Sequence, residues 1–160
     1  MPSVLFVCTA NRFRSPLAEA AFKKCLAEHG SLLGWHVASA GTWTEPGLPP
    51  APGALRAAKR LGLDIGRHRS QPVTLQLLSK TNLVIVMQAS HREAIQLEFP
   101  QVTGRMMLLS EIVGHLPYDI PDPFETSDDG DQELAQEVCD LVERGYTGIV
   151  AFAQNLTDID

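Results

Sequence analysis

One stretch near the amino terminus limits what this chain can fold into. Val4-Leu5-Phe6-Val7 is an apolar run that ends in Cys8. Residues 9–13 follow neither a strand nor a helix pattern, and Arg14-Ser15-Pro16 then opens Leu17-Ala18-Glu19-Ala20-Ala21-Phe22 at helical spacing. The order is strand, loop, helix, with Pro16 in the first turn, where no amide hydrogen is needed. In an open α/β sheet, ligands bind at the loop after a strand's carboxyl end. There the next helix offers unpaired N–H groups and the positive end of its dipole. The loop is an anion site, and a cysteine at its entrance has its thiolate stabilised by that dipole and by a nearby guanidinium.

Five residues separate Cys8 from Arg14. If Thr9, Ala10, Asn11, Arg12 and Phe13 curl into a ring, their amides form a nest for a tetrahedral oxyanion, and Arg14 closes it with two parallel hydrogen bonds. The sulfur then lies beneath the phosphorus. Ser15 can donate its hydroxyl hydrogen to the sulfur, and Asn11 tolerates the left-handed backbone that a tight loop demands.

Downstream, strand and helix patterns alternate. A helix over about 16–29 stops near Gly30, with Ala18, Phe22 and Cys25 on its apolar face. Residues 35–41 read as a second strand, parallel to the first because a helix intervenes. Residues 44–53, with four prolines and two glycines, form a loop with Trp43 at its start as a cleft wall or a core aromatic. A helix over about 54–62 on Leu55, Ala58 and Leu61 precedes a short one near 74–80. Leu83-Val84-Ile85-Val86-Met87 is a continuous apolar run typical of a strand buried on both faces. Ser90 and Glu93 have capping-box spacing for the next helix, and Met106-Met107-Leu108-Leu109 gives a shorter fourth strand. Residues 114–130 read as loop. From Asp131, Leu134, Val138, Leu141, Val142, Ile149, Phe152 and Leu156 repeat at helical steps, with Cys139 beside the stripe and a bend expected at Gly145 and Gly148. The fold class is therefore α/β, a four-stranded parallel sheet with helices on both faces, in one domain over 1–160.

At 160 residues such a chain buries a core without staples. Three widely spaced cysteines without a C-x-x-C pair call for neither a disulfide framework nor a zinc site, which fits a reducing cytoplasm. No cofactor or metal is implied. A net charge of −6 argues against a nucleic-acid partner, and no apolar stretch has the length of a membrane span or the form of a leader peptide.

Cys8-Thr9-Ala10-Asn11-Arg12-Phe13-Arg14-Ser15-Pro16 after a first strand resembles the signature of the low-molecular-weight protein tyrosine phosphatases. That resemblance implies a Rossmann-like phosphotyrosine phosphatase fold and a cysteine-dependent phosphomonoester hydrolase acting through a phosphocysteine on Cys8. Loop residues 9–13 and Ser15 would bind the phosphate. It also assigns Ser39, in Ser39-Ala40-Gly41-Thr42, and His68 as braces of Asn11. A leaving oxygen needs a proton as the P–O bond breaks. Asp119 and Asp122 are both in reach by sequence, and the family's Asp-Pro-aromatic pattern picks Asp122 in Asp122-Pro123-Phe124. Phe124, with Trp43, would line the cleft, and the partner would be a phosphotyrosine protein or a small phosphomonoester.

Departures are Ala10 for a usual glycine, safe only at negative φ. Phe13 replaces a second cysteine, Gln88 an acid, and Arg12 an apolar residue, which favours acidic phosphopeptides. Two other functions fit less well. A phosphate- or phosphoprotein-binding module would not need Cys8, Arg14, Ser15 and Asp122 together, and an arsenate reductase of this fold would need relay cysteines that residues 80–110 lack.

Overall fold

The computed structural model describes residues 1–114, 116–123 and 127–157. Four strands, β1 (Ser3–Cys8), β2 (His36–Gly41), β3 (Leu83–Val86) and β4 (Met106–Leu108), form one sheet in the order β2-β1-β3-β4. All three pairings are parallel, and β1 is central, with Cys8 beside Gly41 at its carboxyl end. The connecting helices are α1 (Arg14–Glu28), α2 (Pro52–Arg60), α3 (Leu75–Ser79), α4 (Ala89–Glu98), α5 (Leu109–Ile112) and α6 (Asp128–Thr157).

Alternation along β1 divides the core. Val4 and Phe6 face a cluster with Leu17 and Phe22 of α1, Ala54, Ala57 and Ala58 of α2, and Val138, Val142 and Ile149 of α6. Leu5 and Val7 face the opposite cluster, with Leu78 of α3, Ile95 of α4 and Val102. Strands buried on both faces need the unbroken apolar runs of β1 and β3, because neither row of side chains meets water. Phe22 anchors the larger cluster, with ring centroids 5.9 Å from Phe6, 5.6 Å from Trp35 and 5.8 Å from Tyr146.

Several local expectations are corrected. Helix α2 begins at Pro52, in the first turn that proline suits, and buries alanines while Leu55 is exposed. Helix α4 starts two residues early. Its N-cap is Gln88 and its box partner is His91, rather than Ser90 and Glu93. Helix α6 begins at Asp128 and runs unbroken through Gly145 and Gly148, while Phe152 is exposed. Those glycines admit α5: a Cβ on either would lie 3.1 Å from Ile112 Cγ2. No helix among the described residues is long and apolar enough to cross a membrane.

Candidate active site

The loop between β1 and α1 forms a cup around Cys8 Sγ. Asn11 has φ 58° and is the single non-glycine residue at positive φ among the described residues, so Ala10 avoids that region. This left-handed turn aims the Asn11 amide at the sulfur, with N to Sγ 3.3 Å. Ser15 Oγ lies 3.0 Å from Sγ and accepts a hydrogen from Asn11 Nδ2 at 2.8 Å. Its proton is thereby directed to the sulfur in preference to the Ala40 carbonyl at 3.5 Å. Cys8 keeps only 2% of its surface.

Asn11 is the centre of the bracing. Its Nδ2 also donates to Ser39 Oγ at 3.0 Å, and Ser39 in turn donates to Glu19 Oε2 at 2.6 Å. The Gln71 amide donates to Asn11 Oδ1 at 3.0 Å, and His68 Nε2 donates to the Asn11 carbonyl at 2.7 Å. Ser39 and His68 therefore both reach Asn11. From outside, the Thr42, Trp43 and Ala51 amides hold the carbonyls of Cys8, Thr9 and Arg12 at 2.9, 3.0 and 2.9 Å. Gly41 permits this approach, because a Cβ there would meet the Thr9 carbonyl oxygen at 2.5 Å. In the sequence Gly41 is marked only as part of Ser39-Ala40-Gly41-Thr42, and a glycine closing a strand beside the loop is the available signal.

Arg14 is 1% exposed. Its Nη1 donates to Gln88 Oε1 at 2.9 Å and to the Ile120 carbonyl at 2.7 Å, while Nη2 reaches Thr9 Oγ1 at 3.3 Å. With Nη1 held by the protein, two parallel bonds to an oxyanion fall to Nη2 and Nε rather than to both terminal nitrogens. The Ile120 amide donates to the Met87 carbonyl at 2.9 Å, which pins the 116–123 segment over the end of β3. Asp122 Oδ1 then stands 3.8 Å from Arg14 Nη2, with its side chain half exposed. Asp119 is engaged elsewhere, accepting from the Ala89 amide at the start of α4 at 2.8 Å.

The remaining expected residues are placed less uniformly. Phe13 is buried in the larger core cluster at 5% exposure, so its backbone alone is left for an anion. Arg12 lies on the rim with Nε donating to the Pro49 carbonyl at 2.8 Å. Trp43 is 85% exposed, which excludes a core role. Phe124 lies outside the described residues. Ile120, Gln71 and His91 escaped sequence reasoning because their roles arise through contacts 60 or more positions away in the chain. Cys25 and Cys139 are buried and free, and burial pushes the Cys139 thiol up to about 12.

A central parallel strand that ends in a cysteine, a tight loop that aims the Asn11 amide at its sulfur, and a buried arginine opening the next helix define an α/β protein built around a phosphate-binding loop. Residues 3–158 match the family model described as low molecular weight phosphotyrosine protein phosphatase. The chain belongs to that family and is a phosphatase. The probable low molecular weight protein-tyrosine-phosphatase EpsP of Ralstonia nicotianae is 32% identical over 143 residues, 89% of this chain and 90% of the relative. A protein-arginine-phosphatase of Bacillus subtilis is 33% identical over 143 residues, 88% and 92% of the two chains. Among solved structures, YwlE arginine phosphatase as a cysteine-to-serine mutant with a phosphorylated active-site serine superposes with TM-score 0.83 at 31% identity, covering 89% of this chain and 91% of that one.

Proposed function

We propose that this phosphatase hydrolyses phosphotyrosine in proteins, with Cys8 as nucleophile, Arg14 and the loop amides as the oxyanion clamp, and Asp122 as general acid and base. The observation that carries the reading is the buried Arg14 guanidinium, held by neutral acceptors, with the half-exposed Asp122 at 3.8 Å. A buried charge whose ion-pair partner is distant and half in solvent is costly, and a dianionic phosphoryl group in the cup offsets that cost.

Cys8 Sγ attacks phosphorus in line as the P–O bond to the phenol breaks, and Asp122 gives its proton to the leaving oxygen. The resulting phosphocysteine is opened by water, whose proton passes to Asp122, and phosphate leaves with the thiolate restored. Ser15 Oγ at 3.0 Å from the sulfur stabilises that thiolate as it departs. The family's phosphocysteine chemistry supports this sequence of steps, as does the engagement of Asp119 by α4, which leaves Asp122 as the carboxylate beside Arg14.

A second reading, phosphoarginine hydrolysis, is favoured by the arginine phosphatase relatives. The rim weighs against it. The Arg12 guanidinium repels a cationic side chain leaving the cup, whereas its planar face and the exposed Trp43 suit an aromatic ring. All three cysteines are free and buried, which agrees with a cytoplasmic site of action.

The test is release of phosphate from para-nitrophenyl phosphate and from paired phosphotyrosine and phosphoarginine peptides, with Cys8→Ser and Asp122→Asn alongside. Turnover of the phosphotyrosine peptide, abolished by Cys8→Ser and cut about 100-fold by Asp122→Asn, is the expected result. A higher kcat/KM on the phosphoarginine peptide replaces the substrate assignment.

A further inference from the structure

The first turn of α4 contains a buried histidine that the mechanism above leaves without a role. His91 is the third residue of that helix, and its ring makes two hydrogen bonds. The backbone amide of Gln88 donates to Nδ1 at 3.1 Å, and Nε2 lies 2.8 Å from Thr9 Oγ1. A backbone N–H is only a donor, so Nδ1 carries a lone pair. A neutral imidazole has one ring proton, which then sits on Nε2 and points at Thr9. The charged ring would set two N–H groups against each other at Nδ1, and burial together with the Arg14 guanidinium lowers the His91 pKa to about 4.

The consequence falls on Thr9. Its hydroxyl oxygen accepts from His91 Nε2 and from Arg14 Nη2 at 3.3 Å, which occupies both lone pairs. Neither neighbour can receive the hydroxyl proton, because Nε2 is protonated and a guanidinium has no acceptor. Among the described residues Thr9 has no other side-chain hydrogen-bond partner. Thr9 directly follows Cys8, and its oxygen is shared with the same Arg14 nitrogen that faces Asp122.

We infer that His91 is a positioning residue that locks Thr9 as a pure hydrogen donor, so that the Thr9 hydroxyl adds a donor to the phosphoryl oxygens beyond those of the loop amides and Arg14. This rests on the proposed use of the cup as a phosphoryl site. It divides α4 into two holds on one guanidinium: Gln88 takes Nη1 directly, and His91 takes Nη2 through Thr9. It also makes Thr9 a determinant of specificity. A threonine with no free lone pair rejects a ligand group that offers a hydrogen and selects one whose peripheral atoms are all acceptors, as in a phosphate dianion.

Three measurements on the full chain test this. Nitrogen-15 NMR of the labelled His91 ring at neutral pH, with no substrate present, is expected to show Nε2 protonated and Nδ1 bare. The opposite tautomer, or a charged ring, overturns the inference whatever the enzyme hydrolyses. Next, inorganic phosphate is used as the probe for binding. Thr9→Val is expected to weaken it about tenfold, and Thr9→Ser, which keeps the hydroxyl, to recover most of that loss. Equal binding by the valine and serine variants overturns the donor role.

Last, His91→Gln places an amide nitrogen where Nε2 stood, whereas His91→Phe has no donor. The glutamine variant is expected to recover most of the phosphate affinity that phenylalanine loses. A purely structural role for His91 would instead make affinity follow stability, with both variants alike in phosphate binding once folded, and that result overturns the inference. Failure of the unsubstituted enzyme on phosphotyrosine would refute the proposed substrate and leave the tautomer and phosphate results standing.

Discussion

At the level of single residues, the cup depends on two positions that no neighbouring sequence can replace. Asn11 bears a left-handed backbone that costs an ordinary residue about 1–2 kcal/mol, and its side chain repays this through Ser15, Ser39 and the Gln71 amide. Asn11→Ala keeps the strain and loses all three bonds. Its phosphate affinity is expected to fall at least tenfold, read as the inhibition constant of inorganic phosphate, and its stability by about 2–3 kcal/mol in urea unfolding. Gly41 acts by absence. An added Cβ would lie 2.5 Å from a backbone oxygen of the loop, which cannot swing aside as a side chain could. Gly41→Ala is accordingly expected to cost more activity than any other single methyl added to β2, with kcat/KM on para-nitrophenyl phosphate down at least tenfold.

Elements were legible in the sequence where one local pattern decided them and illegible where a distant contact did. The runs at β1 and β3 read correctly because burial on both faces demands apolar residues at every position. The start of α4 did not, because Ser90 and Glu93 have the usual capping spacing whereas Gln88 and His91, which take those positions, are not standard capping residues, and Asp119 holds the Ala89 amide from 30 residues downstream. Cys8, Arg14, Ser15 and Asn11 were legible as one site because they lie within eight positions, whereas Ile120 had no local mark. Gly145 and Gly148 teach the same lesson, since their low helix propensity suggested a bend and α5 supplies the reason for both. Gly145→Ala gains about 1 kcal/mol of helix propensity but forces Ile112 to move. The substitution is expected to destabilise alone and to become neutral or stabilising beside Ile112→Ala, a coupling that a double-mutant cycle in urea measures directly.

Across the whole molecule, acid and core packing set the limits of stability. The folded His91 pKa near 4 lies below the ordinary 6.5, so the folded state resists a proton that the unfolded chain accepts. Its contribution is complete above pH 6.5 and is lost as pH falls toward 4, on the order of 3 kcal/mol over that window. Urea midpoints measured at pH 7 and 4.5 are expected to separate less in His91→Gln than in the unsubstituted chain. Phe22, in contact with three other aromatic rings, carries the larger core, and Phe22→Ala is expected to cost about 3–5 kcal/mol in the same assay.

The ties on the Cys8 loop and Arg14 come from residues 39, 42, 43, 51, 68, 71, 88, 91 and 120. The last of these anchors, the Ile120 carbonyl on Arg14, lies 106 residues further along the chain than the arginine it holds. Chemical competence at the loop is thus a product of long-range closure and not of the local segment alone.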